Sequence, residues 1–293
     1  LADQLKVFGA LGGGVGDLWW DWLHEPSFRK LASLVERNGA RVRIYSQCHC
    51  AGAATDLFHG HPHVHEVVEE PWAPPTPELQ HRWNTPTADG FIPLSRNDLL
   101  HDAGVRQLDL QQPQIHLLEG ERHLLGQLLT RRPCVVAQPY AGLSDRDGFD
   151  VAAIARLAAA LQHLAPAASL LVIGRNHDRG HKYTQELCPA APNLTDLIDQ
   201  LNIRVTYHLV ANCDAFVGAH SNLIRAAWDH RRRTVLVVPE PLMTRHLPTL
   251  DSKYTYGLRH PENRVFTYPF DHGQERQFDQ LDTSAIAEFL LRG

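Results

Sequence analysis

Apolar positions along the chain fall into short continuous runs and longer helical spacings, and their alternation predicts an α/β protein. Leu5 to Leu11 is an apolar stretch that runs into Gly12, Gly13, Gly14, Val15, Gly16 and Asp17, after which Leu18 to Leu23 reads as a helix start. Ser27 can cap the next helix, whose Phe28, Leu31, Leu34 and Val35 share one face before Asn38 and Gly39 stop it. Arg41 to Ser46 alternates as a strand. His63 to Val68 is a third short strand, closed by the proline-rich loop from Glu69 to Pro77. From about Glu78 to Gly104 the pattern weakens into loop and short helix, and Leu117 to Leu129 is apolar at helical spacing up to Arg131, Arg132 and Pro133.

The same alternation then restarts. Cys134 to Gln138 reads as a strand, Pro139 to Gly148 as a polar loop, Val151 to Leu164 as a helix and Ser169 to Ile173 as a strand ending at Gly174. Leu194 to Leu201 has the spacing of a short helix and Ile203 to Tyr207 the composition of a connecting strand. Asp214 to Gly218 reads as a strand, His220 to Trp228 as a helix, Thr234 to Val238 as a strand, and Ser284 to Leu291 as a final helix after a loop-rich stretch. The repetition predicts two Rossmann-like halves, residues 1–130 and 131–275, with a helix in 276–293.

Composition narrows the function classes. Of 293 residues 43% are hydrophobic, which excludes a disordered chain, and the length suits two domains. Twenty-eight basic against 33 acidic residues leave a net charge of −5, and the densest basic run, Arg231 to Arg233, is too short to track a nucleic-acid backbone. A nucleic-acid partner is disfavoured. Five scattered cysteines, no secretory signal and no apolar run near about 18 residues predict a cytoplasmic protein without a transmembrane segment. The alternating His59, His61, His63 and His65, with Cys48, His49 and Cys50 upstream, match no structural zinc spacing, so no metal is expected. His177 and His181 have i, i+4 spacing but lie in a glycine-flanked loop.

The glycine loop does not fit a dinucleotide fingerprint. From Gly12 the third position of G-x-G-x-x-G falls on Asp17, and from Gly14 it falls on Trp19. The second strand also ends in Ser46 and Gln47 where such an enzyme carries an acid. Asp17 is either the cap of the following helix or a general base facing a pocket at the carboxyl end of the first strand. His24 lies close enough in sequence to tune such a base. Trp19 and Trp22 share a helix face while Trp20 points elsewhere, so at least one of the three faces core, and the alternative is that one is a stacking platform for an acceptor ring. In the second half the helix start at His220, Ser221 and Asn222 offers free N–H groups and a positive dipole end. Either it is a plain cap or it binds a diphosphate, with Arg225, Arg146 or Arg175 adding charge-assisted bonds.

Gly14-Val15-Gly16-Asp17, the loop Gln138 to Phe149 and the run Ala211 to Trp228 together resemble GT-B glycosyltransferases, and among them the ADP-heptose heptosyltransferase family. The resemblance implies two Rossmann-like domains facing each other across a cleft, with the final helix packing back on the N-terminal domain. It also implies that Asp17 is the catalytic base, and that Gly142 and Arg146 before Phe149 match the family's glycine loop and basic residue. The family's Asp-Thr-Gly-x-x-His at the last helix start aligns with Ala219 to Ile224, where all three named residue types are replaced.

The expectation is an inverting, metal-independent transferase with no cofactor, using a nucleotide-diphosphate sugar as co-substrate. Its donor contacts are Tyr140, Gly142, Arg146, Gly174, Arg175, His220, Ser221, Asn222 and Arg225; its acceptor contacts are Gly14, Gly16, Trp20 and His24. The acceptor is a glycan, a metabolite or another hydroxyl-bearing molecule. A sugar-nucleotide epimerase of the same fold and a non-catalytic nucleotide- or glycan-binding protein are the alternatives.

Overall fold

A computed structural model of the chain describes residues 6–8, 42–46, 52–61, 64–69, 71, 77, 91–93, 115–139, 149–174, 191–219, 221–240, 261–270 and 277–292. The chain divides into two compact units, Leu1–Leu117 and Leu118–Gly293.

The first unit contains a parallel sheet of β1 (Lys6–Phe8), β2 (Val42–Ser46), β3 (Val64–Glu69) and β4 (Phe91–Pro93), ordered β3-β2-β1-β4. Lys6 stands opposite Arg43 on one side and Phe91 on the other. Helix α1 (Ala53–Phe58) buries Ala53, Ala54, Leu57 and Phe58. Its N-terminus is closed by Glu69, the last residue of β3, whose carboxylate accepts from the Gly52 and Thr55 N–H groups at 2.5 and 2.9 Å. An anion there satisfies otherwise unpaired amides and complements the helix dipole. Gly52 enters this helix at φ 80°, a backbone conformation that a Cβ disfavours.

The second unit runs through α2 (Glu119–Leu128), β5 (Cys134–Gln138), α3 (Val151–Leu164), β6 (Ser169–Val172), β7 (Leu194–Asp196) and α4 (Ile203–Asn212). It continues through β8 (Ala215–Gly218), α5 (Asn222–Asp229), β9 (Arg233–Pro239), β10 (Asn263–Tyr268) and α6 (Thr283–Leu291). Its six strands are parallel in the order β10-β9-β8-β5-β6-β7. The chain starts at β5, winds outward to β7, returns to β8 beside β5 and winds outward the other way. That is the doubly wound order, and it reverses between β5 and β8.

Burial on both faces explains the unbroken apolar runs of these strands. Val135, Ala137, Leu170, Val172, Ala215, Val217, Val235 and Val237 form one core with Ile154, Leu157 and Leu161 of α3 and Ile286 and Leu290 of α6. The intervening Val136, Leu171, Phe216, Leu236 and Val238 are buried as well, as the two-residue strand period requires. Helix α3 starts where Asp150 accepts from the Ala153 N–H at 2.7 Å, and α6 where Asp282 accepts from Ala285 at 2.9 Å.

Several sequence expectations are corrected. Leu194 to Leu201 is not a helix: Leu194, Thr195 and Asp196 pair with Leu170, Leu171 and Val172, and the Asp196 carboxylate then accepts from the Ile198 N–H at 2.9 Å to turn the chain. Ile203 to Tyr207 is not a strand but the first half of α4, capped by Asn202, whose side chain accepts from Val205 at 3.0 Å. Its β-branched residues suggested a strand, and the cap and tertiary burial override that weak preference. The stretch taken as loop before the last helix holds β10, which extends the sheet beside β9.

The boundary between the two halves also moves. The helix α2, assigned to the first half with a boundary at 130, belongs to the second unit, because Glu121 pairs with Arg204 and Asn202 of the α4 start. The final helix packs on α3 within the second unit, where Ile286, Ala287, Phe289 and Leu290 complete its core.

Candidate functional site

Doubly wound sheets open a crevice outside the carboxyl ends of the strands at which their order reverses, because the following helices leave toward opposite faces. In the second unit those strands are β5 and β8, ending at Gln138 and Gly218, which stand opposite each other in register. The Ala219 N–H donates to the Gln138 backbone carbonyl at 3.0 Å, so the two strand ends stay joined past the last ladder pair. A Cβ on Gly218 would lie 2.9 Å from a Phe216 ring carbon and 3.1 Å from the Gln138 carbonyl oxygen, so a side chain there would make the ring shift and crowd the strand end.

The chain then passes to Ser221, the N-cap of α5. The Ser221 hydroxyl accepts from the Leu223 N–H at 3.2 Å and donates to the Oε1 of Gln138 in a short hydrogen bond. Gln138 is only 9% exposed, and its Oε1 is engaged by this bond. A nearly buried neutral amide therefore meets the positive end of a helix at the reversal point of the sheet.

Neighbouring turns frame the same edge. Ile173 at the end of β6 donates to the Ala137 carbonyl at 2.8 Å, and the Gly174 carbonyl accepts from Asp199 at 3.0 Å. Phe149, fully buried, donates its N–H to the Pro139 carbonyl at 3.2 Å, pinning together the two ends of the stretch between them. The described part of this site carries no charged side chain at either strand end.

Of the residues singled out from sequence, the structure brings Ser221 and the start of α5 at Asn222 to this crevice, with Gly174 beyond the neighbouring strand β6 and Arg225 one helical turn along α5. Asp17, Gly14, Gly16, Trp20 and His24 lie outside the described residues, as do Tyr140, Gly142, Arg146, Arg175 and His220. Gln138 and Gly218 were not among the candidates. A polar residue ending an otherwise apolar strand, and a glycine ending its neighbour, were the available signals.

Other reactive groups sit elsewhere in the unit. The thiols of Cys134 and Cys213 are buried, and burial pushes both upward, so neither is a ready nucleophile. Cys134 lies at the amino end of β5, where its N–H donates to the Asp214 carboxylate at 2.7 Å. At the far end of α5, His230 Nε2 and the Tyr207 hydroxyl share a hydrogen bond of 2.6 Å, and burial with the neighbouring Arg232 and His208 lowers the His230 pKa to about 4. Among the described residues no group of three or more His, Cys, Asp or Glu can hold a metal ion. Among the same residues no helix is long and apolar enough to cross a membrane.

No protein-family model matches the chain, and no curated protein matches its sequence. Solved structures do match its fold. E. coli ADP-heptose lps heptosyltransferase II is 16% identical with a TM-score of 0.56, over 97% of both chains. The chain shares the GT-B fold. A glycosyl transferase family 9 protein from Veillonella parvula has a TM-score of 0.57 at 9% identity, over 100% of this chain and 99% of its own. E. coli heptosyltransferase WaaC with ADP-2-deoxy-2-fluoro heptose has a TM-score of 0.54 at 11% identity, over 97% and 98%. The resemblance drawn from short motifs thus extends along the whole chain at the level of fold.

Proposed function

We propose that the protein is a glycosyltransferase that moves a sugar from a nucleotide-diphosphate donor to an acceptor hydroxyl, with inversion and without a metal. The observation that carries this reading is the doubly wound second unit whose reversal point presents the N-terminus of α5 beside Gln138. Such an edge suits the negative charge that grows on a departing diphosphate. The fold shared over nearly the full length with a heptosyltransferase carrying an ADP-sugar analogue supports the same reading and makes ADP-linked sugars the first donors to test.

In this reaction Asp17 takes the proton of the acceptor hydroxyl. The acceptor oxygen attacks the anomeric carbon as the bond to the diphosphate oxygen breaks on the opposite face, and the nucleoside diphosphate leaves with the electron pair. Gly14, Gly16, Trp20 and His24 would line the acceptor side. Tyr140, Gly142, Arg146, Gly174, Arg175, His220, Ser221, Asn222 and Arg225 would line the donor side, with the arginines supplying charge.

A thermal-shift screen of nucleoside diphosphates and nucleotide sugars tests the donor, since a ligand of the folded state raises the melting temperature. Asp17→Asn is expected to abolish transfer while leaving donor affinity nearly unchanged. Full transfer by that variant rules out Asp17 as the base.

A further inference from the structure

All six strands of the second unit are parallel, so their first residues share one edge, opposite the edge that holds Gln138 and Ser221. Two runs of arginine meet there. Arg131 and Arg132 lead through Pro133 into β5, while Arg231 and Arg232 lead into β9, whose first residue is Arg233; β8 lies between the two strands. Two strand spacings, roughly 10 Å, separate β5 from β9, which is about one Debye length at 0.1 M salt, so the runs act on a charged surface together. Arg231 to Arg233 is a short run alone, and the fold adds the second.

Pairing decides how much of this charge is left. Arg132 bonds to Asp214 at 2.8 Å and Arg233 to Glu262 at 2.7 Å, both at the same edge. Arg131, Arg231 and Arg232 have no carboxylate partner among the described residues: Arg131 reaches the Pro192 carbonyl at 3.2 Å, and the buried Nε of Arg232 has no acceptor. Arg131 and Arg231 are exposed, and Arg232 is half-buried. With Asp229 the edge holds three carboxylates against five arginines, on a chain whose net charge is −5.

An apolar contact lies at the same edge. Helix α3 ends there at Leu164, which is 46% exposed, just before the turn that leads into β6 beside Pro133. An aliphatic side chain among cations gains nothing from a nucleic-acid backbone but suits the boundary between lipid headgroups and acyl chains. Among the described residues no Phe, Tyr or Trp is exposed at this edge, so no platform for unstacked bases accompanies the arginines.

We infer that this amino edge of the second sheet is a docking face for an anionic lipid bilayer, with Arg131, Arg231 and Arg232 drawn to the headgroup phosphates and Leu164 entering the interface. Guanidinium groups without a carboxylate keep their donors for phosphate oxygens, and each is worth about fivefold in affinity near an anionic surface. Docking here leaves the opposite edge, with Gln138 and Ser221, open to the water from which a soluble nucleotide arrives.

The test is co-sedimentation of the full chain, without nucleotide, with vesicles of phosphatidylcholine alone and of phosphatidylcholine mixed with phosphatidylglycerol, at rising salt. The variants are Arg131→Gln and Arg231→Asn, singly and together, Leu164→Ser, and Arg122→Gln, which removes the same charge from the start of α2. Asn is used at 231 because it tolerates the left-handed backbone there, φ 53°. Melting temperatures establish that each variant is folded.

The expected result is binding to the mixed vesicles alone, weakening as salt rises, with a loss of about tenfold or more in the double variant, a smaller loss in each single variant and in Leu164→Ser, and none in Arg122→Gln. Absence of binding to the mixed vesicles, equal binding to both vesicle types, or an equal loss in Arg122→Gln and the double variant overturns the inference. So does tighter binding to a DNA oligonucleotide than to the mixed vesicles, which would make nucleic acid the partner. Each of these outcomes leaves the proposed transfer untouched, because binding is read without a donor.

Discussion

At the scale of single residues, the second unit depends on a few polar groups whose partners are as buried as they are. Glu121 is 12% exposed and Arg204 6% at their side chains, and the Arg204 Nε lies 3.0 Å from both carboxylate oxygens. Burial alone would raise the Glu121 pKa; the Arg204 guanidinium, the Leu118 N–H and the Asn202 amide outweigh it and hold it at about 2. Glu121→Gln removes the charge and leaves Arg204 buried without its counter-ion, at an expected cost of roughly 3 kcal/mol in urea unfolding. Gly218→Ala places a methyl 2.9 Å from the Phe216 ring and 3.1 Å from a backbone oxygen, and should cost roughly 1–3 kcal/mol. None of these partnerships was legible in sequence, because residues 121 and 204, or 138 and 221, are neighbours only after the sheet is wound.

At the scale of elements, local signals worked where a cap and an apolar face agreed. Helix α3 has both: Asp150 caps it, and Ile154, Leu157, Ala158 and Leu161 recur on one face, so its sequence bounds and structural bounds coincide at Val151–Leu164. Helix α4 has the cap, but Ile203, Val205 and Thr206 carry the composition of a strand, and only packing against its neighbours decides for helix. Its cap is also shared, since the Asn202 amide donates to Glu121 at 2.6 Å while its oxygen accepts from Val205. Asp150→Ala is expected to cost about 1 kcal/mol in chemical denaturation, the usual worth of a cap. Asn202→Ala should cost more, because it also takes a hydrogen bond from the buried ion pair. Equal costs would mean that the Asn202–Glu121 bond contributes nothing to stability. The missed elements α1, β4 and β10 are short or sit at positions where alternation is too brief to read.

At the scale of the whole molecule, the described shifts in ionisation favour unfolding in acid. His230 is held near 4 against an ordinary 6.5, so the unfolded chain takes up a proton that the folded one refuses as pH falls between those values. Glu121 at about 2 against 4.5 acts with the same sign, its stabilisation complete above 4.5 and lost as pH falls through 2. Both groups belong to the second unit, so its melting temperature should fall from pH 6.5 downward, first through His230 and then through Glu121. Calorimetric melts across that range check this, and the Glu121→Gln variant should lose the steeper fall below pH 4.5.

The doubly wound character of the second unit could be anticipated from the chain alone, because parallel strands buried on both faces must be written as continuous apolar runs separated by helices of 3.6-residue spacing. The cap at Ser221 could be anticipated too, since cap residues and strand ends are local facts. Which strands are neighbours, where their order reverses, and that Ser221 spends its proton on Gln138 were decided only by the tertiary structure. Strand order and side-chain pairing across 83 residues depend on how the sheet is wound, and no local pattern along the chain encodes that.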